Sequence, residues 1–94
     1  MNCLLLCLIF YLPSAGDYFE QGNRYYEKHQ YSEAIRVYEI AVELEPENGL
    51  SWAALGSAFG ENREYEKALE SLKKAVTLVP RLTEAYPLIT FYYI

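Results

Sequence analysis

The side chains able to carry chemistry are few, and their spacing does not assemble a reaction centre. His29 is the sole histidine. It falls at a turn between two apolar-periodic stretches, where it reads as a solvated turn residue rather than a general base, since a base must reach the proton it takes. The carboxylate pairs Glu43–Glu47 and Glu66–Glu70 are helical neighbours and read as a solvated face, not an acid/base pair. Glu20–Arg24 and Glu70–Lys74 are pairs of opposite charge four residues apart, each worth roughly 0.2–0.5 kcal/mol. Cys3 and Cys7 would share one helical face, but Cα atoms one turn apart on a helix rarely suit a disulfide. No histidine or acid lies near them in sequence to complete a metal site. GxSxG, HExxH, CxxC and phosphate-loop patterns are all missing from the sequence. The expectation is therefore a chain that is not an enzyme, with no catalytic residue, no cofactor and no metal.

Charge and size narrow the classes further. Thirteen acidic against eight basic side chains give a net charge of −5. That disfavours nucleic acid as a partner, because Lys and Arg must displace counterions from the phosphate backbone. It also weighs against an anionic membrane surface. An apolar fraction of 52% is too high for a disordered chain, and 94 residues fit one small domain. The ten tyrosines suit half-buried seams and binding faces, where a ring is packed and a hydroxyl finds a partner.

The elements that position these residues emerge when the chain is compared with itself. An offset of 34 residues, from Tyr18 to Trp52, matches position after position. Tyr18 falls on Trp52 and Tyr86, Gly22 on Gly56, and Tyr25 on Phe59 and Tyr93. Tyr31 falls on Tyr65, Ala34 on Ala68, Tyr38 on Leu72, Ala41 on Ala75 and Pro46 on Pro80. Each unit reads as two helices. The first unit has a possible capping box at Ser14 and Asp17, a helix from Tyr18 to about Lys28, and a second from Tyr31 to Leu44 closed by Pro46. In the second unit Asn48 is the N-cap candidate, Asn62 and Arg63 mark the turn, and Pro80 ends the second helix. Gly22 is expected to face Ala34, and Gly56 to face Ala68, letting antiparallel helices approach closely.

The pattern resembles the tetratricopeptide repeat. Trp52, Leu55, Gly56, Phe59, Ala68, Leu72, Ala75 and Pro80 carry the resemblance in the second unit. Tyr18, Gly22, Tyr25, Ala34, Tyr38, Ala41 and Pro46 carry it in the first, where Gln21 departs from the usual Leu-like residue. The resemblance implies an all-α fold of antiparallel helix–turn–helix repeats stacked as a short right-handed α-solenoid. Residues 1–14 form an apolar N-terminal segment, 15–48 the first unit, 49–82 the second, and 83–94 the first helix of a partial third. It also implies a protein–protein interaction module that binds a peptide or protein through its concave face. The alternative is a structural fragment or spacer of a longer array.

Family geometry projected onto this chain puts Phe19, Asn23, Tyr26, Ala54, Ser57, Glu61, Leu88 and Phe91 on the peptide-binding face. Glu20, Glu27, Leu50, Ala53, Gly60 and Glu84 complete that face. One known variant of the family grips acidic C-terminal tails of chaperones with Lys, Asn and Arg. Only Asn23 matches that pattern, while Phe19, Ala54, Glu84 and Leu88 stand where basic or amide residues are needed, so such tails are disfavoured. The two ends leave alternatives open. Residues 1–12 are too short to span a bilayer as a helix. They read equally as an export segment, with Ser14-Ala15-Gly16 for cleavage, or as an apolar stub over the first hairpin, so compartment is undecided. At the other end Pro87 should delay or distort the third unit's helix. The apolar edge of residues 82–94 is a candidate for self-association or partner contact.

Overall fold

Ser14 sets the start of the first helix. Its hydroxyl accepts from the Asp17 backbone N–H at 3.3 Å, and the Asp17 carboxylate accepts from the Ser14 N–H at 2.9 Å. This reciprocal cap satisfies two amides that an uncapped helix end leaves orphaned. The computed structural model describes residues 13–81 and 87–89. Among them are α1 (Ala15–Glu27), α2 (Tyr31–Leu44), α3 (Gly49–Glu61) and α4 (Tyr65–Leu78). Residues 87–89 are also helical. The expectations about residues 1–12 and about most of the 82–94 edge lie outside the described residues. The first helix begins at Ala15 rather than Tyr18, because the capping box draws the three residues after Ser14 into the first turn.

Both hairpins turn in the same way. His29 (φ 60°) and Arg63 (φ 65°) adopt the left-handed conformation just past the ends of α1 and α3. Gln30 N–H then donates to Tyr25 C=O at 2.9 Å and His29 N–H to Tyr26 C=O at 2.9 Å. In the second hairpin Glu64 N–H donates to Phe59 C=O at 2.9 Å and Arg63 N–H to Gly60 C=O at 3.1 Å. This paired ladder closes the terminal carbonyls of each helix. It places two side chains where glycine would be less strained.

Packing follows the chain. α1 lies on α2 and α3 on α4 as hairpins, α2 joins α3 across the seam between them, and α1 reaches α3. Ala34, Ala41, Ala58, Ala68 and Ala75 are fully buried, so small side chains bring the helices close throughout. Gly56 approaches Ala68 as expected, whereas the atoms nearest Gly22 belong to another residue. A Cβ on Gly22 would stand within 3.0 Å of three ring carbons of Tyr38, which are the atoms nearest to it, rather than of Ala34. A Cβ on Gly56 would meet Leu72 Cγ at 2.7 Å and the Ala68 carbonyl oxygen at 3.2 Å. The large residue one turn beyond each alanine therefore fills the notch over the glycine. Gly49 makes a third close approach, with Val79 Cγ2 at 2.5 Å and the Ala75 carbonyl at 3.2 Å, pinning the start of α3 to the end of α4. Ser71 is buried on α4, while Leu69 and Val76 are only half-buried.

The seam between hairpins is held by Trp52. Its indole N–H donates to the Pro46 carbonyl at 2.8 Å, and Lys74 Nζ sits 5.3 Å from its ring centroid. Asn48 caps α3 by accepting from Leu50 N–H at 3.1 Å. The loop from Pro46 to Asn48 is thereby tied to α3 at two points.

Candidate functional site

A cavity of about 210 Å³ opens between α1 and α3, lined by Asn23, Tyr26, Tyr38, Ala54 and Ser57. Asn23 and Tyr26 come from α1, three residues apart and so on one face of the helix. Ala54 and Ser57 have the same spacing on α3. Four of the residues predicted for the concave face are thus brought together. Phe19 is half-buried and packs its ring against Tyr38, centroids 5.9 Å apart and tilted by 49°, supporting the cavity from behind rather than lining it. Glu61 is exposed at the last residue of α3, Leu88 is half-buried, and Gly60 is buried. Phe91 and Glu84 lie outside the described residues.

Tyr38 is the lining residue that sequence reasoning missed, because its place in the repeat is that of a buried leucine, Leu72. The available signal was the hydroxyl itself, since a buried tyrosine needs a hydrogen-bond partner. Here its ring is 2% exposed and its hydroxyl donates to Asn23 Oδ1 at 2.5 Å. Burial, then the neighbouring Tyr26 and Glu27, push the Tyr38 hydroxyl up to about 12. It is a neutral donor across the ordinary pH range. With its oxygen occupied, Asn23 keeps its amide N–H groups without a partner among the described residues. The cavity therefore offers amide donors beside a half-buried aromatic wall and a hydroxyl at Ser57.

Tyr26 is braced from the turn. Its ring meets Tyr31 edge-on at 5.3 Å and 71°, and the Tyr31 hydroxyl lies 2.6 Å from His29 Nδ1. His29, exposed and in the turn, thus orients an aromatic rather than a reacting group. No lining residue carries a charge at neutral pH. Glu27 and Glu61 are the last residues of α1 and α3, with Arg24 in the last turn of α1 and Lys28 and Arg63 just past the two helix ends. Among the described residues no cluster of His, Cys, Asp and Glu has the makings of a metal site, and no helix is long and apolar enough to cross a membrane.

Comparison with known proteins agrees with this architecture. A family model described as Tetratricopeptide repeat matches residues 19–85. The chain is similar to the Protein STIP1 homolog of Dictyostelium discoideum, with 28% identity over 72 residues, covering 77% of this chain and 13% of that protein. It is similar to the Peroxisomal targeting signal receptor of Kluyveromyces lactis, with 27% identity over 64 residues, covering 68% of this chain and 11% of that one. The chain thus spans a small part of the length of these curated relatives. Among solved structures, the second TPR of Spaghetti (RPAP3) bound to the HSP90 peptide SRMEEVD superposes with a TM-score of 0.82 at 21% identity, covering 85% of this chain and 74% of that chain. MamA superposes with a TM-score of 0.83 at 25% identity, covering 85% and 47%. Superposition of this quality requires the same hand, so the fold is a short right-handed α-solenoid of stacked antiparallel hairpins.

Proposed function

The chain belongs to the tetratricopeptide repeat family, and from that premise we propose that it is a protein–protein interaction module seating a peptide segment of its partner in the groove between α1 and α3. The observation that carries the reading is the cavity where Asn23, Tyr26, Ala54 and Ser57 converge with Tyr38. An extended peptide presents backbone carbonyls that the free amide of Asn23 can donate to, and side chains that the Tyr26 wall can cover. Glu61, Leu88 and Phe91 extend this proposed face, and Phe19 supports its wall at Tyr38 from behind. Residues 15–48 and 49–82 serve as its repeating units, and 83–94 as the start of a third. The second TPR of Spaghetti (RPAP3), which has the same fold, is bound to a peptide, which favours this reading over a spacer with no ligand. The reading assigns no catalytic step.

The ligand in that relative is acidic, and this groove is not built for one. Phe19, Ala54 and Leu88 offer no cation where an acidic tail would need it, and Glu27 and Glu61 stand at one end. Acidic chaperone tails are therefore disfavoured. The test is a pull-down comparing wild type with Tyr26→Ala and Ser57→Arg, with helicity of each variant checked by circular dichroism. Loss of bound partners from folded variants is expected. Identical partners on all three proteins would remove the groove as the binding site.

A further inference from the structure

Asn48 is followed by Gly49, and glycine puts no side chain between its own backbone nitrogen and the amide before it. The other asparagines precede Cys3, Arg24 and Arg63. The pair sits where the two hairpins join. Asn48 N–H donates to the Glu45 carbonyl at 3.1 Å, its Oδ1 accepts from Leu50 N–H at 3.1 Å, and its carbonyl accepts from Trp52 N–H at 3.4 Å. Asn48 is exposed, while Gly49 is buried. A Cβ on Gly49 would meet Val79 Cγ2 at 2.5 Å, the Ala75 carbonyl oxygen at 3.2 Å and Leu78 Cβ at 3.3 Å, so the notch has no spare room. The first unit provides the comparison. Ser14 and Ala15 stand at the equivalent positions (48 and 49 less 34), and there a hydroxyl caps α1. A cap in this repeat therefore requires neither an amide nor a glycine.

We propose that Asn48–Gly49 is a self-modification site, held shut while the junction is seated and committed once the junction opens. The reaction is attack of the Gly49 nitrogen on the Asn48 side-chain carbon. At a ψ of 98° in Asn48, the Gly49 nitrogen is turned away from Cβ, whereas ring closure needs the two on the same side. Rotation about that bond carries Gly49 out of its notch, so the ring forms only on a locally opened chain. There the Gly49 nitrogen gives its proton to hydroxide and bonds to Asn48 Cγ. The Cγ–Nδ2 bond breaks, and the nitrogen takes a proton from water and leaves as ammonia. Water then opens the five-membered imide at one of its two carbonyls. One water enters, one ammonia leaves, and nothing is oxidised or reduced. Opening at the side-chain carbonyl gives aspartate, which caps as well as asparagine and adds a charge that a helix N-terminus favours. Opening at the main-chain carbonyl gives isoaspartate, whose extra backbone carbon lies next to Gly49. That form cannot seat in a notch too tight for a methyl, so the start of α3 stays detached from the end of α4.

The experiment incubates the full chain in mildly alkaline buffer across a urea series. Peptide mass spectrometry follows conversion at Asn48, and electron-transfer fragmentation tells isoaspartate from aspartate. Conversion should be slow in buffer and rise with urea in step with the unfolded fraction measured by ellipticity. Trp52→Phe removes the 2.8 Å indole hydrogen bond to the Pro46 carbonyl, so it should speed conversion in buffer roughly two- to tenfold and leave the rate in full denaturant unchanged. Where Trp52→Phe does not fold, the wild-type urea series carries the same test. Asn48→Ser, the residue the first unit uses, should end conversion at this position and keep wild-type ellipticity. The separated isoaspartyl chain should unfold at lower urea than the aspartyl chain. Conversion as fast in buffer as in denaturant removes the gate. No conversion at Asn48 in denaturant, or equal rates at Asn23 and Asn62, removes the site. An isoaspartyl chain with the wild-type urea midpoint removes the lock. Any one of these results overturns the proposal.

Discussion

Gly22→Ala tests the packing that builds the cavity. The added methyl would stand within 3.0 Å of three ring carbons of Tyr38, a side chain with 2% of its surface exposed. Overpacking of this kind costs about 1–3 kcal/mol. Replacing a helical glycine by alanine returns about 0.5–1 kcal/mol. The net expectation is a loss centred on ~1 kcal/mol and reaching about 2.5 kcal/mol, and each kcal/mol lowers the melting temperature by roughly 4–8 °C for a domain of this size. Thermal denaturation followed by circular dichroism measures it directly. Tyr38→Val removes the three ring carbons, so Gly22→Ala in that background should be milder by about 1 kcal/mol, a non-additivity expected of residues in contact. A melting temperature equal to or above wild type for the single variant, or strict additivity in the pair, would refute the claim that the Tyr38 ring occupies the notch over Gly22.

Other expectations follow from the same contacts. Gly56→Ala should destabilise at least as much as Gly22→Ala, because the new methyl meets a backbone carbonyl at 3.2 Å as well as the Leu72 branch point, and chemical denaturation of the two variants side by side decides it. The Tyr38 hydroxyl is held up at about 12, above the unfolded tyrosine value of about 10. Its contribution is therefore complete below pH ~10 and is lost as pH rises toward ~12. Tyr38→Phe should remove the latest tyrosinate absorbance step and flatten stability across that window. Trp52→Phe deletes the hydrogen bond to Pro46 and should cost about 0.5–1.5 kcal/mol by urea unfolding. Arg63→Gly relieves a left-handed residue and should stabilise by about 0.5–1 kcal/mol in the same assay.

Much of the architecture is written in the 34-residue offset, since equivalent residues must occupy equivalent surroundings when a repeat stacks on itself. The bounds of α2, the caps at Ser14 and Asn48 and the turn at Arg63 all follow from residue type and spacing. The offset shows which residues correspond, but not which atoms meet. Gly22 and Ala34 are both small and both recur, yet the atoms nearest a Cβ at Gly22 are those of the Tyr38 ring, because a long side chain one turn along leans over the glycine. Gly49 carried no signal, as its neighbour Val79 lies at the far end of the next helix and thirty residues away (79 less 49). The cavity was half legible. Asn23, Tyr26, Ala54 and Ser57 follow from helical spacing on α1 and α3. Tyr38 does not, because it reaches the cavity from the second helix of the hairpin through a hydroxyl that its repeat partner Leu72 lacks.

Trp52 is the sole tryptophan, and its indole spans the junction between the first hairpin's closing loop and the second hairpin. Its emission is consequently a local gauge of that junction, whereas ellipticity sums over every helical turn. Stacked arrays gain stability from each unit and from each interface between units. If the interface is what makes the pair cooperative, the optical signal of one indole and the ellipticity of the whole chain will fall together along a denaturant series. If the hairpins melt separately, the two curves will part, and the gap between them measures the coupling free energy that this single side chain and the Pro46 carbonyl help to supply.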